Sequence, residues 1–485
     1  MKLPHDTYKG VCPMYSLSHL LKFVMPDLQE ILNDSITRII ASGNYYDFTT
    51  NLDKALKESA RKLLPTVFER MDAQFKASER RKALYYTKGK RERTLMTPFG
   101  EIRFMREYYV PKGGTREEGF FYVDRTLKLP RRDYYDPLIK ARLIEESAKD
   151  SYKKAGETVG ESIGLWLKSR KDRKRSAISR QTVRNVILNT DIETPEDTQT
   201  FEAETLHIQM DEKHVHTQRE DGRSQEIKGA VLHTGPVPVS KKRNVLKDRT
   251  VLTTTGTTFS LKTKLMDYIS KHFNERKLKQ IVVSGDGASW IKLASKDLRF
   301  ADAIETSFTL DRFHLSQAIQ HISKHPGTQS TLRHLIKENY KRSFRETTDY
   351  LIRDTPDRQD TITAKRDYIL NHWHAIQNQK HPRFKGCSME GHISHVYAAL
   401  FTSRPKGYTK RMIDKLANLR TMDVNDIDIA QAYLEQNTDY FIPEKAELTL
   451  QSDYPRQASI ESSAHWHREL MKHINHSGYQ KIEPS

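Results

Sequence analysis

Acidic residues at the ends of strand-like segments are the first candidates for chemistry, and the earliest is Asp211. In residues 206–212 alternate side chains of a strand point to opposite faces, and the apolar residues fall on one of them. Asp211 shares the polar face with His207 and Gln209, whereas Glu212 falls on the apolar side. The pattern therefore favours Asp211 over Glu212 as a functional carboxylate.

A second aspartate, Asp286, follows an apolar, buried-type strand and is flanked by two glycines. Glycines let the backbone turn sharply and let a ligand approach, and open α/β sheets keep their sites at the carboxyl ends of strands. A simple Asp-Gly turn is the structural alternative. Another strand-like segment, residues 306–314, ends with Asp311 and His314, which are either auxiliary ligands or only a strand terminus and a helix start.

The third acidic candidate, Glu390, lies beside an apolar stripe at helical spacing in residues 386–400. This position predicts that Glu390 reaches a neighbouring sheet. The same segment holds Cys387, His392 and His395, which invite a zinc interpretation or an auxiliary role for the histidines. No second Cys/His pair has the spacing of a structural zinc site, which argues against zinc.

Two aspartates at strand ends and a later helical glutamate are what a two-metal phosphoryl-transfer site requires. One ion activates the nucleophile and the other stabilises the leaving oxygen. Hard carboxylate oxygens favour two Mg²⁺ or Mn²⁺ ions over softer metals. The sequence therefore predicts an acidic, metal-dependent site.

The charge of the chain points to a polyanionic partner. The 485 residues carry a net charge of +18, and residues 1–190 hold 38 Lys and Arg against 24 Asp and Glu. Nucleic acid is the first expectation for such a surplus, and a solvated basic surface is the alternative. No apolar run is long enough for a membrane helix, and the first residues do not resemble a secretory signal. Two cysteines fit a reducing cytosol, so we expect a cytoplasmic protein that associates with the nucleoid when bound to DNA.

Pattern changes along the chain predict six regions. Helical periodicity marks residues 1–84, and strand–turn–strand signals mark residues 85–137. Helical text returns in residues 138–190, where Ser179 is a plausible N-cap of a second, helix-turn-helix-like helix. The remaining regions are a linker at 191–204, an α/β domain at 205–425 with a mixed sheet and a helical insertion at 315–380, and a C-terminal tail at 426–485.

Basic and amide side chains of the first half are the predicted DNA contacts. Two lie among aromatic residues of the hairpin, four lie in a basic loop, and three project from the helix after Ser179. In that order they are Arg103, Arg106, Lys171, Arg173, Lys174, Arg175, Arg180, Gln181 and Arg184. Solvated hairpin arginines and a plain amphipathic helix are the alternatives.

Several sequence blocks resemble the signature blocks of the ISLre-type insertion-sequence transposases. They are "MDEKHV", "SGDGASWIK", "LDRFHL" and "GCSMEGHISHVYAALFTSRPKGY", with "TPFGEIRFMREYY" and "SYKKAGE…ISRQTVRNVI" in the leading region. The resemblance covers roughly residues 85–425. It implies a DDE transposase with a ribonuclease-H-like core.

The resemblance also implies which residues form the acidic triad. Matched by motif, they are Asp211, Asp286 and Glu390. The helical insertion explains the long separation between the last two, and it offers Glu338 and Glu346 as alternatives to Glu390. The predicted function is metal-dependent cleavage and strand transfer of the protein's own insertion sequence, by a homo-oligomer on double-stranded DNA. A DNA-binding regulator with an inactive core and a non-joining nuclease are the other hypotheses.

Overall fold

The structure is a computed structural model that describes residues 44–129, 133–163, 178–218, 224–241, 243–274, 276–292, 304–387, 394–402 and 407–437, with a few single positions between them. The helices are α1 Tyr45–Ala77, α2 Glu79–Leu84, α3 Tyr122–Thr126, α4 Pro137–Lys149, α5 Tyr152–Ser162, α6 Arg180–Leu188, α7 Thr258–His272, α8 Arg312–Ile322, α9 Pro326–Lys337, α10 Lys341–Asp354, α11 Gln359–Asn371, α12 Trp373–Gln377, α13 Ala399–Phe401, α14 Lys410–Val424 and α15 Ile429–Asn437. The strands are β1 Tyr85–Thr97, β2 Gly100–Pro111, β3 Phe120–Phe121, β4 Thr205–His216, β5 Ser224–His233, β6 Gly235–Ser240, β7 Arg243–Lys247, β8 Thr250–Thr254, β9 Gln280–Gly285 and β10 Glu305–Leu310.

The N-terminal part is a long helix packed on a β-hairpin. Strands β1 and β2 pair antiparallel, and Gly100 turns between them at φ +112°. Helix α1 packs on β2 through aromatic contacts, with ring centroids of Phe68 and Phe104 5.0 Å apart. The hairpin predicted from the break around residues 98–100 is therefore present, and it is longer than the sequence pattern indicated.

Three helices form the next unit, and each begins at a side chain that caps it. Asp136 accepts a hydrogen bond from Leu138 N, and Ser151 and Ser179 cap α5 and α6 in the same manner. Such caps satisfy backbone N–H groups that have no partner within the helix. The apolar side chains Val183 and Ile187 of α6 are buried against the other helices.

A five-stranded mixed sheet follows, in the order β10-β9-β4-β5-β8. Strands β4, β5 and β8 are antiparallel neighbours, whereas β9 and β10 run parallel to β4. The apolar face of β4 packs with Leu261, Leu265 and Ile269 of α7, as the alternation in residues 206–210 predicted. The opposite face packs on the segment Ser394–Ala398, on α13 and on α14. The predicted α/β class with a mixed sheet is confirmed.

Helices α8 to α12 form a separate core after β10. Their buried side chains include Ile319, Phe344 and Ile369, and they cover residues 315–380, which the sequence assigned to a helical insertion. Among the described residues, no helix combines the length and apolar character needed to cross a membrane.

The C-terminal segment departs from the sequence prediction of a tail at 426–485. Helix α15 packs on α4 and buries Ile429, Ala432 and Tyr433. These positions have helical i, i+3, i+4 spacing, so the tail begins later than the sequence division placed it.

Candidate active site

Three aspartates lie on neighbouring parallel strands, where β9 and β10 end: Asp286 and Asp311 directly follow these strands, and Asp211 lies within β4, two residues past its last pair with β9. The register pairs Gln209 with Ser284 and Ser284 with Thr309. An aspartate follows each of these three residues by two positions. Because side chains on one face of a strand recur every two residues, the three aspartates belong to the same face. We call this set, Asp211, Asp286 and Asp311, the aspartate row. The structure thus places two predicted triad members and one predicted auxiliary residue on the same face of the sheet.

A layer of buried polar side chains lies next to the aspartate row, on the same face of the sheet. The hydroxyls of Ser284 and Thr309 lie 2.7 Å apart, and Nε2 of Gln209 lies 3.0 Å from Nε2 of His233. Buried polar groups are costly unless hydrogen-bonded, so this layer fixes side-chain orientations. Burial also lowers the pKa of His207, in the same layer, to about 4.

The loop of Asp286 is held by helix α11. Oδ1 of Asp286 accepts a hydrogen bond from Ala288 N at 2.8 Å, and its backbone oxygen accepts one from the Tyr368 hydroxyl at 2.5 Å. Nε2 of His372 lies 3.1 Å from the carbonyl oxygen of Gly287. Gly287 has φ +88°, which side-chain-bearing residues rarely adopt. Tyr368 and His372 therefore position this carboxylate from more than eighty residues away in sequence.

Asp311 combines a structural and an electrostatic role. It is 3 % exposed and caps α8 by accepting a hydrogen bond from Phe313 N at 3.1 Å. Its Oδ2 also lies 3.5 Å from Nδ1 of His314. This carboxylate raises the pKa of His314 above its ordinary value, against the effect of burial, and the charges of Asp286 and Asp211 add to the increase. His314 thus lies in the combined field of the whole aspartate row.

The side of the sheet that carries Asp211 is closed by Tyr397. Asp211 of β4 lies opposite Gly229 of β5 in the sheet register. A Cβ at Gly229 would lie 2.7 Å from the Tyr397 hydroxyl. That hydroxyl lies 2.5 Å from Thr253 Oγ1. Tyr397 follows Glu390 by seven residues in the segment that the sequence predicted to be helical.

The third predicted triad member cannot be placed. Glu390 and His392 lie outside the described residues, and of His395 only the backbone is described. The two alternatives are exposed: Glu338 ends helix α9, and Glu346 forms an ion pair with Arg342. Because both side chains are exposed, neither is favoured as a partner of the aspartate row.

A separate ligand-type cluster lies on the opposite face of β4. Glu212, His214 and Glu226 each place one donor atom within 4.8 Å of the others, a criterion that no other set of three meets in the part of the chain that the structure describes. Lys228 neutralises part of this charge through an ion pair of 2.5 Å with Glu226. Asp211 and Glu212 therefore point to different faces, as the alternation predicted.

The predicted DNA contacts differ in exposure. Arg103, Arg180 and Gln181 are exposed, although Arg103 forms an ion pair with Glu101. Arg184 is half-buried, because its helix packs on α5. Arg106 is largely buried against Asp124, so the hairpin does not present it as a simple surface arginine. The basic-loop residues Lys171, Arg173, Lys174 and Arg175 lie outside the described residues.

Comparison with known proteins places this architecture in a family. The family described as "Uncharacterised protein family (UPF0236)" matches residues 44–438, which is most of the chain. The chain belongs to the UPF0236 family.

Its relatives include several UPF0236 proteins of Caldanaerobacter subterraneus subsp. tengcongensis. One is 27 % identical over 422 residues, which cover 86 % of this chain and 84 % of the relative. Another is 28 % identical over 398 residues, covering 80 % and 79 %, and its name joins eleven locus designations. The UPF0236 match contains the hairpin, the three-helix unit, the whole sheet and the aspartate row.

Proposed function

We propose that this UPF0236 protein is a transposase of the ISLre type that cleaves and joins DNA at the aspartate row. The observation that carries the proposal is the alignment of Asp211, Asp286 and Asp311 on one face at one sheet edge. Despite sequence separations of 75 and 25 residues, the three aspartates fall on one face of the sheet. Concentrated carboxylates of this kind are ligands for divalent metal ions.

The sheet topology supports a ribonuclease-H-like core. Three antiparallel strands, one helix and two parallel strands follow each other along the chain, and the first strand lies in the centre of the sheet. The aspartate row consists of one residue of that central strand and the residues that directly follow both parallel strands. The first two members are those that the resemblance to ISLre-type transposases assigns to the acidic triad.

The side chains of the aspartate row fit Mg²⁺ or Mn²⁺. All three are carboxylates, which are hard oxygen donors of the kind these ions prefer. Two such ions would polarise a phosphodiester and stabilise the leaving oxygen. Tyr368 and His372 hold the loop of Asp286 in position.

Glu390 remains the proposed third member of the triad, and Asp311 is the competing residue. Tyr397, seven residues after Glu390, packs on the face that carries Asp211, which supports a position of this segment beside the row. Asp311 already caps α8 and contacts His314, so we assign it an auxiliary role.

Charge and copy number agree with DNA as the substrate. The surplus of basic residues in the first 190 positions suits a polyanion, and exposed Arg180 and Gln181 follow a capped helix start. One relative carries a single protein name for eleven loci, as expected for a sequence that multiplies within a genome. The proposed partner is double-stranded DNA, bound by a homo-oligomer.

The test is a strand-transfer assay with purified protein and labelled DNA that carries the element ends. With Mn²⁺ or Mg²⁺ we expect cleaved and joined products. In the presence of a chelator that removes these ions, we expect neither product. Asp211→Asn and Asp286→Asn should abolish both products while DNA binding persists. The matched control is Asp267→Asn, an exposed aspartate of α7.

Glu390→Gln and Asp311→Asn decide the third position. Loss of product with Glu390→Gln and partial activity with Asp311→Asn is the expected result. Cleavage without joining would indicate a nuclease instead, and binding without metal-dependent cleavage would indicate a regulator.

A further inference from the structure

A cavity of about 710 Å³ opens on the hairpin, separate from the aspartate row. Five arginines and three acidic residues are among its lining side chains, together with aromatic rings. The arginines are Arg91, Arg93, Arg106, Arg116 and Arg125. One of the acids, Asp133, is already paired with Lys140, so the cavity keeps a surplus of positive charge.

Two guanidinium groups in the wall share one carboxylate. Arg93 and Arg106 both contact Oδ2 of Asp124, the first at 2.8 Å. Oδ1 of Asp124 and Nε of Arg106 are buried and make no hydrogen bond with any residue that the structure describes. Buried polar atoms of this kind are rare in native proteins and require an explanation. A bound group with an acceptor for Nε would supply one.

Three of these arginines, Arg91, Arg106 and Arg125, lie over aromatic rings. The guanidinium carbon of Arg106 lies 3.7 Å from the ring centroid of Phe121, and that of Arg91 lies 5.3 Å from the ring of Tyr108. The Tyr108 hydroxyl donates a hydrogen bond to Arg116 O, which fixes the loop before Phe121. Stacking orients the guanidinium planes before any ligand arrives, and such planes stack on nucleobases.

Charge, planar groups and size together specify the occupant. We propose that this cavity binds one unpaired nucleotide of a DNA strand, with its phosphate on the arginines and its base on the stacked planes. A paired base in a duplex hides both faces, so the cavity would hold a nucleotide at an open end or one turned out of the helix. The inference rests on the proposed DNA substrate and adds an unpaired nucleotide to it.

Fluorescence polarisation with the full chain tests the proposal. The probes are a blunt duplex and the same duplex with a three-nucleotide 5′-phosphorylated overhang. The unmodified chain should prefer the overhang. The double variant Arg91→Ala/Arg125→Ala should bind the overhang at least about fivefold more weakly, the lower end of what a lost stacked base costs, and should change blunt-duplex binding less than about twofold.

Controls separate charge from planarity. Both arginines are exposed, so their replacement should leave the fold intact. Arg91→Lys/Arg125→Lys keeps the charge and should still lose most of the overhang preference. Arg342→Ala, 93 % exposed on α10, removes one charge elsewhere and should change neither affinity.

Three outcomes would overturn the proposal. Equal losses on both probes would mean ordinary phosphate contacts, and no loss would remove the cavity from DNA binding. Competition by free nucleoside monophosphate without any overhang preference would indicate a small-molecule site. An overhang preference of the unmodified chain, in a preparation that shows no strand transfer with Mn²⁺ or Mg²⁺, would reject the proposed function and leave this inference standing.

Discussion

Replacement of Gly287 by alanine tests how helix α11 holds the Asp286 loop. Gly287 has φ +88°, and a Cβ there would lie 2.3 Å from Nε2 of His372 and 2.8 Å from its Cδ2. The left-handed backbone alone costs alanine about 1–2 kcal/mol. Displacement of a packed imidazole adds about 1–3 kcal/mol. We expect Gly287→Ala to lower the free energy of unfolding by about 2–5 kcal/mol.

A second glycine isolates the backbone contribution. Gly113 has φ +81°, and apart from its chain neighbours no described residue has an atom within 4 Å of the Cβ position. Gly113→Ala should therefore cost only about 1–2 kcal/mol. Urea unfolding followed by circular dichroism measures both variants, with the midpoint and slope compared for each.

The contact with His372 can be removed to complete the cycle. In a His372→Ala background the methyl group added by Gly287→Ala has space, so the added cost of that substitution should fall to the value measured at Gly113. The reasoning is refuted if Gly287→Ala costs no more than Gly113→Ala in the unmodified chain. The Gly287→Ala variant should also lose strand transfer, because the backbone beside Asp286 moves.

Three further predictions follow from described contacts. Tyr368→Phe removes the hydrogen bond to the backbone oxygen of Asp286, so the free energy of unfolding should fall by about 1 kcal/mol in urea titration, and strand transfer should fall with little change in DNA affinity. Burial lowers the pKa of His207 to about 4 from an unfolded value near 6.5, so the stability that this group contributes is complete above pH 6.5 and is lost as the pH falls toward 4. Urea titration should show that this contribution is about 1 kcal/mol smaller at pH 5.5 than at pH 7.5. The variant His207→Leu should abolish the difference. If α6 reads base edges, Gln181→Ala should lower the binding free energy by about 1–3 kcal/mol on element-end DNA and by little on a scrambled duplex. Competition binding measures both values. Equal losses on the two duplexes would restrict the exposed Gln181 to contacts with the DNA backbone.

Local patterns predicted the residues whose position depends on their own strand. Alternation in residues 206–210 separated the faces of Asp211 and Glu212, and the structure places them on opposite faces. The capping role of Ser179 was likewise visible from the side chain and the stripe that follows it. Both features depend on only a few neighbouring residues.

Contacts between distant segments could not be predicted in this way. Tyr368 reaches Asp286 across 82 residues, and nothing in the spacing around Tyr368 marks it. Arg106 was expected to contact phosphate because aromatic residues surround it, but its burial depends on Asp124, which follows a different strand. Arg184 is half-buried for the same kind of reason, since the packing of α6 on α5 decides which side of the helix faces solvent.

The position of the helical insertion has a consequence for the order in which the chain folds. The hairpin forms between two strands that are neighbours in the chain, whereas helix α4 packs on α14 and α15, β4 needs β9 to complete its pairing, and the Asp286 loop needs α11. Non-local pairing is slow, and N-terminal units fold first during synthesis. Ribosome-bound chains stopped at residue 260 should therefore show a protease-resistant hairpin but no resistant sheet. A nascent chain then completes its hairpin while the sheet that carries the acidic side chains still lacks β9 and β10.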